Sequence, residues 1–518
     1  MTKKHQQIPK IDPVADVERS ALPDKRHRRR AVRITKALMD TPDKGFPEAM
    51  GDSASLEGLY RFVENDRLEF EALLSGHVQG TCERIQGQPL VVVAHDTTQY
   101  GFSNESPRDG LGPMNRSGTQ GFFDHTALAV LPGRRPDVFG VLGCKPWARS
   151  WPEESQDAPI SGVSEDAQQP APEAAGDAGD GVEPSATKTS TLKRRLSRQR
   201  FHDEDKESLR WVAMVEQVEK EVAQQLPEAE RPVLIHVMDR EADSYEILAD
   251  QEQKRRRFVI RSTYDRRVMA PSQAPGSGKL RGVLATAMVL ATRDGIKVSR
   301  RGKNRTQRKI KRFPVRGDRI ASVQMCAQSV TLVRPDDCRD NWPPTLQVNV
   351  VHVHEVNTPE GEEPIEWYLY TSEPIKTAED VLAVVDFYLS RWTVEEYFKA
   401  VKTGCAFEKR QLESYHALLM ALALTIPIAC SLLRLRTLAD LSEPVAASEV
   451  LSLVQIHILR KKASGGLPRM PTVKQAMMAI AALGGHIRNN GAPGWQVLGR
   501  GYEKLRSLEE GFLLAKSS

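Results

Sequence analysis

The chain has 518 residues, 27% of them charged and 40% hydrophobic, a length that suits two or three packed domains. Its formal charge of +5 is unevenly spread: eight acidic and no basic residues lie between Pro152 and Val182, leaving +13 on the remainder, which suits a polyanionic partner. The six cysteines form no CxxC pair or zinc-spaced cluster, no apolar run reaches the ~18 residues of a membrane span, and the N-terminus lacks a signal-peptide core, so a cytoplasmic protein with reduced thiols is expected.

Residues 1–20 mix Pro, Asp and Lys without a period and read as a disordered tail. From Asp24, DKRHRRRAVRITKALMD sets Arg26, Arg29, Arg30 and Arg33 on one helical face and Ala31, Ile34 and Leu38 on another. Five arginines in eight residues repel one another unless a polyanion screens them, so this face points to nucleic acid rather than to a merely solvated surface. SASLEGLYRFVENDRL continues a helical module over 21–70, in which Gly58, Tyr60, Arg61 and Asn65 read either as DNA contacts or as plain core and caps.

PLVVVAHDTTQY reads as a buried strand ending in Asp96, followed by strands at GFFDHTALAVL and DVFGVLG; His125 belongs to the second of these. Residues 152–190 are too poor in apolar side chains to fold and read as a disordered acidic insertion. A basic stretch and a helix at ESLRWVAMVEQVEKEVAQQL lead to PVLIHVMDREADSYEIL, a second buried strand ending in an acid, Asp239. Arg240, Glu241 and Asp243 suit the start of the helix that follows. A strand ending at Arg261 precedes a β-rich insertion over 263–365. There His352 and His354 share a strand face without an evident third ligand and read as strand residues, and SRRGKNRTQRKIKRF offers a second basic surface.

Thr377 and Asp380 have capping-box spacing, and Gly404 reads as a stop, predicting a helix from about 378 to 403. At ~100° per residue, Tyr388, Arg391, Glu395, Lys399 and Lys402 share one face of it, a spacing whose usual meaning, taken alone, is a salt-bridged solvent surface. Apolar helices follow from about Leu412 to the end. Three strands, a helix, a strand, a helix, a strand and a late helix give the order of the ribonuclease H-like α/β fold, in which the first and fourth strands are neighbours. Asp96 and Asp239 are then adjacent, and a glutamate from the late helix completes three carboxylates suited to two Mg²⁺ or Mn²⁺ ions and phosphoryl transfer.

The motifs HDTTQY, MDREADSYEIL and YLSRWTVEEYFKAVKTG resemble those of bacterial cut-and-paste, hairpin-forming DDE transposases with the Tyr-(2)-Arg-(3)-Glu-(6)-Lys signature. The resemblance runs from about Leu22 to the C-terminal LGGHI and GFLLAK, leaving out the first twenty residues and the acidic tract. It implies that Asp96, Asp239 and Glu395 are the catalytic metal-binding triad and that Tyr388, Arg391 and Lys402 grip phosphates. It further implies that Arg261 contacts the transposon end and that Trp367, otherwise strand core, stacks on a flipped base. The implied partners are transposon-end and target double-stranded DNA and a second copy of the chain, paired through a C-terminal dimerisation domain over 411–518 in a synaptic complex in a bacterial nucleoid. The catalytic core then spans 71–410. A transposase-derived repressor and a ribonuclease H-like nuclease are the alternatives, although a nuclease has no need of Lys402 or Trp367.

Overall fold

The computed structural model describes residues 8–103, 107–114, 119–133, 136–151, 209–269, 278–298, 300–301, 315–338, 341–463, 466–487 and 491–517. The acidic tract at 152–190 and most of SRRGKNRTQRKIKRF lie outside them.

Five helices open the chain: α1 (Pro13–Glu18), α2 (Lys25–Asp40), α3 (Phe46–Met50), α4 (Ser53–Val63) and α5 (Phe70–Ile85). Asp24 caps α2 by accepting from the Arg26 amide, and Asp52 caps α4 through Ser55. Ala31, Ile34 and Leu38 are buried while Arg26, Arg29, Arg30 and Arg33 face solvent, so α2 divides along the predicted faces. At Gly58 of α4 the Arg30 guanidinium of α2 lies over the space a Cβ would fill, 1.6 Å from that position. Tyr60 packs edge-on against Phe46, and Arg61 pairs with Glu57 on the exposed surface of α4.

The strands β1 (Leu90–Ser103), β2 (Gly112–Pro113), β3 (Thr119–Leu131) and β4 (Asp137–Trp147) come next, then helix α6 (Leu209–Gln225), β5 (Val233–Met238), α7 (Tyr245–Gln253) and β6 (Arg257–Arg261). β3 pairs antiparallel with both β1 and β4, whereas β5 lies parallel to β1 and β6 parallel to β5. The first and fourth long strands are therefore neighbours, as the element order predicts. After the short α8 (Leu280–Leu284), the segment expected to be β-rich supplies β7 (Val289–Val298), β8 (Arg319–Val333) and β9 (Thr345–Val356), which continue the same sheet through β10 (Glu366–Thr371). The result is one ten-stranded sheet with apolar clusters on both faces.

The expected helix over 378–403 is divided. The capping box forms as predicted, with Thr377 accepting from Asp380 N and Asp380 from Thr377 N, and starts α9 (Ala378–Ser390). Arg391 N then bonds three residues back to Tyr388 O, α10 runs from Trp392 to Lys399, and Ala400–Gly404 widens into a π-turn. Gly404 is not the left-handed stop: that conformation falls on Ala406, with φ 48°.

Helices α11 (Tyr415–Ala439), α12 (Leu453–Lys462), α13 (Val473–Leu483) and α14 (Trp495–Ser517) complete the chain. Contrary to the sequence reading, α11 is long and apolar enough by composition to cross a membrane, but 89% of its apolar window is buried inside this fold, where it packs on β4, α5, α2 and α13. A helix apolar on all sides is a core helix when protein surrounds it. Nor do the C-terminal helices form a separate unit, since one apolar cluster takes in Ile11, Leu38, Val92, Tyr388, Leu424 and Leu505 together.

The reading of residues 1–20 as a tail fails over 8–20, because this stretch supplies buried ionic anchors. Asp16, 1% exposed, receives two contacts from Arg84 at 3.2 and 3.3 Å and lies 2.7 Å from His77 Nδ1, while His77 Nε2 accepts from Val141 N. Burial alone would raise the Asp16 pKa, but His77 and Arg84 hold it below the usual carboxylate range. Arg434 of α11 makes a two-pronged pair with Asp137 at 2.9 Å and also donates to the carbonyls of Ile8 and Pro9. Asp16→Ala leaves Arg84 buried without its counter-charge and is expected to cost about 3–5 kcal/mol. Thermal melting of this variant, and of a chain lacking residues 1–20, should fall together; unchanged midpoints would show that the segment is not part of the core.

Candidate active site

The pairing of β1 with β5 places the first two carboxylates. Its last registered pair is Ala94 with Val237, so Asp96 and Asp239 both lie two residues further on, on the same face of adjacent strands. Asp96 does not end its strand as the sequence suggested: β1 continues to Ser103 against β3, and only its pairing with β5 stops. Asp239 caps a 3₁₀ turn by accepting from Glu241 N at 2.8 Å. Asp243, four residues on, is structural, accepting from Tyr264 N and pairing with Arg266 at 2.7 Å.

Across these strand ends lie α9 and α10, and at their junction Arg391 turns inward. Its Nη1 donates to Asp96 Oδ2 at 3.0 Å and its Nη2 to Glu395 Oε1 at 2.9 Å. The side chain of Arg391 is 6% exposed and that of Asp96 16%, so the pair is largely withdrawn from water. Burial pushes the Asp96 pKa up to about 7; Arg391 lowers it, and the charges of Asp239 and Glu395 raise it again. For Arg391, burial opposes the charge, yet Tyr388, Asp96, Asp239 and Glu395 around it keep it more firmly protonated than usual. The three acids predicted from separate parts of the chain therefore crowd into one like-charged cluster with a single guanidinium among them.

Behind Asp96 a polar chain runs through the sheet: His95 Nε2 meets His236 Nδ1 at 2.9 Å, and His236 Nε2 lies 3.1 Å from Glu219 Oε1. Thr97 Oγ1 holds His125 Nδ1 at 2.9 Å, so His125 is the buried strand residue that was expected.

The remaining predicted residues divide into those at the cluster and those elsewhere. Tyr388 is buried rather than presented to solvent; its hydroxyl accepts from Arg261 at 3.4 Å and its ring packs on Trp367 at 5.3 Å. Trp367 is only 8% exposed, which makes it a wall rather than a free stacking platform. Lys402 leans on β1 three residues past Asp96, donating to Gln99 O at 2.6 Å, and burial lowers its pKa. Arg26, Arg30 and Arg33 lie on α2 and take no part in the cluster.

A cleft of about 1050 Å³ opens beside Glu395, walled by Arg240, Arg261, Arg281, Lys297, Lys399 and Trp367. Trp392, 43% exposed, also faces it, with the Arg391 guanidinium 5.4 Å from its ring. Sequence reasoning passed over Trp392 because it lies beside, not on, the polar wheel face; an exposed tryptophan next to the signature arginine was the available signal. The inward turn of Arg391 was likewise missed, since wheel position does not say which way a long side chain folds.

With this geometry in place, two family models match: transposase DNA-binding over residues 15–68 and transposase DDE domain over 215–431. The chain carries both domains of a DDE transposase. It is an enzyme of the polynucleotidyl-transferase type, its partner is DNA, and domains of this family generally use divalent metal ions. The DDE match takes in Asp239 and Glu395 and begins after Asp96; the DNA-binding match covers α2 and α4 with their exposed arginines. The donor set fits such an ion, because an oxygen-only cluster in which burial, and then the charges of Asp239 and Glu395, lift the Asp96 pKa to about 7 is relieved by a hard cation.

Neutralising one member should relieve that repulsion in the metal-free protein. Asp239→Asn keeps the acceptor for Glu241 N and leaves Arg391 its two partners, so in the presence of chelator its stability should hold or rise by roughly 0.5–2 kcal/mol. A clear fall in the melting midpoint would show that Asp239 supports the fold instead.

Proposed function

We propose that this chain is a cut-and-paste transposase of the hairpin-forming type, with Asp96, Asp239 and Glu395 as the ligands of two Mg²⁺ or Mn²⁺ ions. The observation that carries this reading is the convergence of those carboxylates around Arg391 beside a basic cleft. The bound ions would activate a water or 3′-hydroxyl and stabilise the leaving oxygen in each phosphoryl transfer.

The chain's own residues do the rest. Arg391 neutralises Asp96 and Glu395 and keeps the cluster assembled, and with its charge released from those carboxylates the guanidinium would be placed to hold a DNA phosphate at the cleft. Arg261, at the end of β6, is fixed by Tyr388 and the Glu366 carbonyl and faces the same cleft. Lys402 adds a cation further along β1. The exposed arginines of α2 supply sequence-independent affinity for the transposon end through its phosphates. We further propose that two copies hold two ends in a synaptic complex.

Replacing Asp96, Asp239 or Glu395 by Ala should abolish nicking and strand transfer on a linear end fragment while leaving end binding in gel shifts largely intact, because the basic surfaces carry affinity. Cleavage retained by any one variant removes that residue from the triad. Ca²⁺, larger and looser in coordination, should support assembly without cleavage.

For Trp367, base stacking at ~1 to 3 kcal/mol requires the indole to be uncovered from Tyr388. Trp367→Ala is then expected to nick normally but form hairpins slowly, with part of the rate restored on an end whose flipped base is missing. Equal loss of nicking and hairpin formation would make Trp367 a core residue only.

A further inference from the structure

The strands of the inserted region bring together three side chains that their sequence separation conceals. Cys326 on β8 pairs across the sheet with His352 on β9, and His354 follows two residues later on the same face. One ligand atom from each of Cys326, His352 and His354 lies within 4.8 Å of the other two. The expectation that the two histidines lack a third partner is thus corrected: sheet register supplies it from 26 residues upstream of His352.

We propose that Cys326, His352 and His354 form a zinc site, separate from the carboxylate cluster, that ties β8 to β9. A thiol with two imidazoles is a borderline-soft donor set suited to Zn²⁺ and poorly suited to Mg²⁺. His352 is 9% exposed, yet its Nδ1 has no hydrogen-bond partner, and buried Nδ1 of His354 lacks one as well. Buried polar atoms in native folds are almost always satisfied, so two unsatisfied imidazole nitrogens at one spot ask for a ligand.

The surroundings hold the rings in place. His352 stacks on Tyr368 with centroids 4.3 Å apart and planes 4° from parallel, and the two histidine rings are 5.1 Å apart. Glu366 accepts from the Tyr368 hydroxyl at 2.9 Å, and its Oε1 lies 3.4 Å from His352 Nε2, an ionic contact that brings a compensating negative charge to the site. Zinc-ligand bonds of ~2.0–2.3 Å need only a small closure of these side chains. On binding, the Cys326 thiol gives its proton to solvent and the thiolate sulfur donates the electron pair of the new bond. Because Glu366 and Trp367 of neighbouring β10 line the cleft, the metal would also stiffen the wall on which the nucleic acid is read. The site stands on donor chemistry alone and does not depend on the transposase reading.

The test is metal content and spectroscopy of the full-length protein. After dialysis against chelator-treated buffer containing Zn²⁺ and then buffer alone, one zinc per chain should remain by elemental analysis. Cobalt substitution should give a near-ultraviolet thiolate-to-cobalt charge-transfer band, a signal that a carboxylate-only site cannot produce. Cys326→Ser should lose both the band and the zinc, His354→Gln should lose the zinc, and Glu395→Gln should keep the zinc. Circular dichroism verifies folding, and His354, being partly exposed, keeps the test decisive if Cys326→Ser does not fold. Absence of both stoichiometric zinc and the band in the wild-type chain, or zinc retained by every folded variant, would overturn the proposal.

Discussion

Three carboxylates crowded at the end of a sheet, partly out of water, repel one another unless a proton or a cation offsets their charge, and here Arg391 is the cation placed among them. Its two hydrogen bonds to Asp96 and Glu395 reach from the helix layer to the strand layer, so the guanidinium both neutralises the cluster and fixes how the late helix sits on the sheet. The break between α9 and α10 falls at this residue, and the π-turn follows two turns later, where Lys402 meets β1. Irregularities of this kind inside helices are often functional. The charge pattern thus explains a local geometry that helix propensity alone would have smoothed away.

That arrangement holds only because the strands beneath it are rigid. β1 is paired with β3 from Val92 to Ser103, and its five registered pairs with β5 fix Asp96 and Asp239 side by side. The N-terminal helices, the sheet and the C-terminal helices share one apolar core threaded by α11, and buried pairs such as Asp16 with Arg84 and Asp137 with Arg434 clamp its periphery. The inserted strands are docked as well, through Arg293 on β7 and Asp386 on α9.

Much of this was legible because it rests on local pattern. The two apolar runs ending in Asp96 and Asp239, the capping box at Thr377 and the split faces of α2 each follow from short-range periodicity. What sequence could not supply depends on long-range packing. Residues 8–20 look like a tail until Asp16 is seen to balance Arg84. The wheel places Tyr388 on a chemical face, but packing against Trp367 buries it. Composition alone cannot tell a core helix from a membrane helix, as α11 demonstrates. Cys326 joins His352 only through strand register, which no spacing rule reports.

The most direct test of the role of Arg391 as a stand-in for a bound cation is Mn²⁺ affinity, measured by electron paramagnetic resonance on the wild-type chain and on Arg391→Ala. Removing a competing positive charge should tighten Mn²⁺ binding by roughly an order of magnitude, about 1.4 kcal/mol, even as nicking is lost. Unchanged or weaker binding in the folded variant would mean that the guanidinium does not occupy ground shared with the metal, and that the carboxylates are held together for another reason.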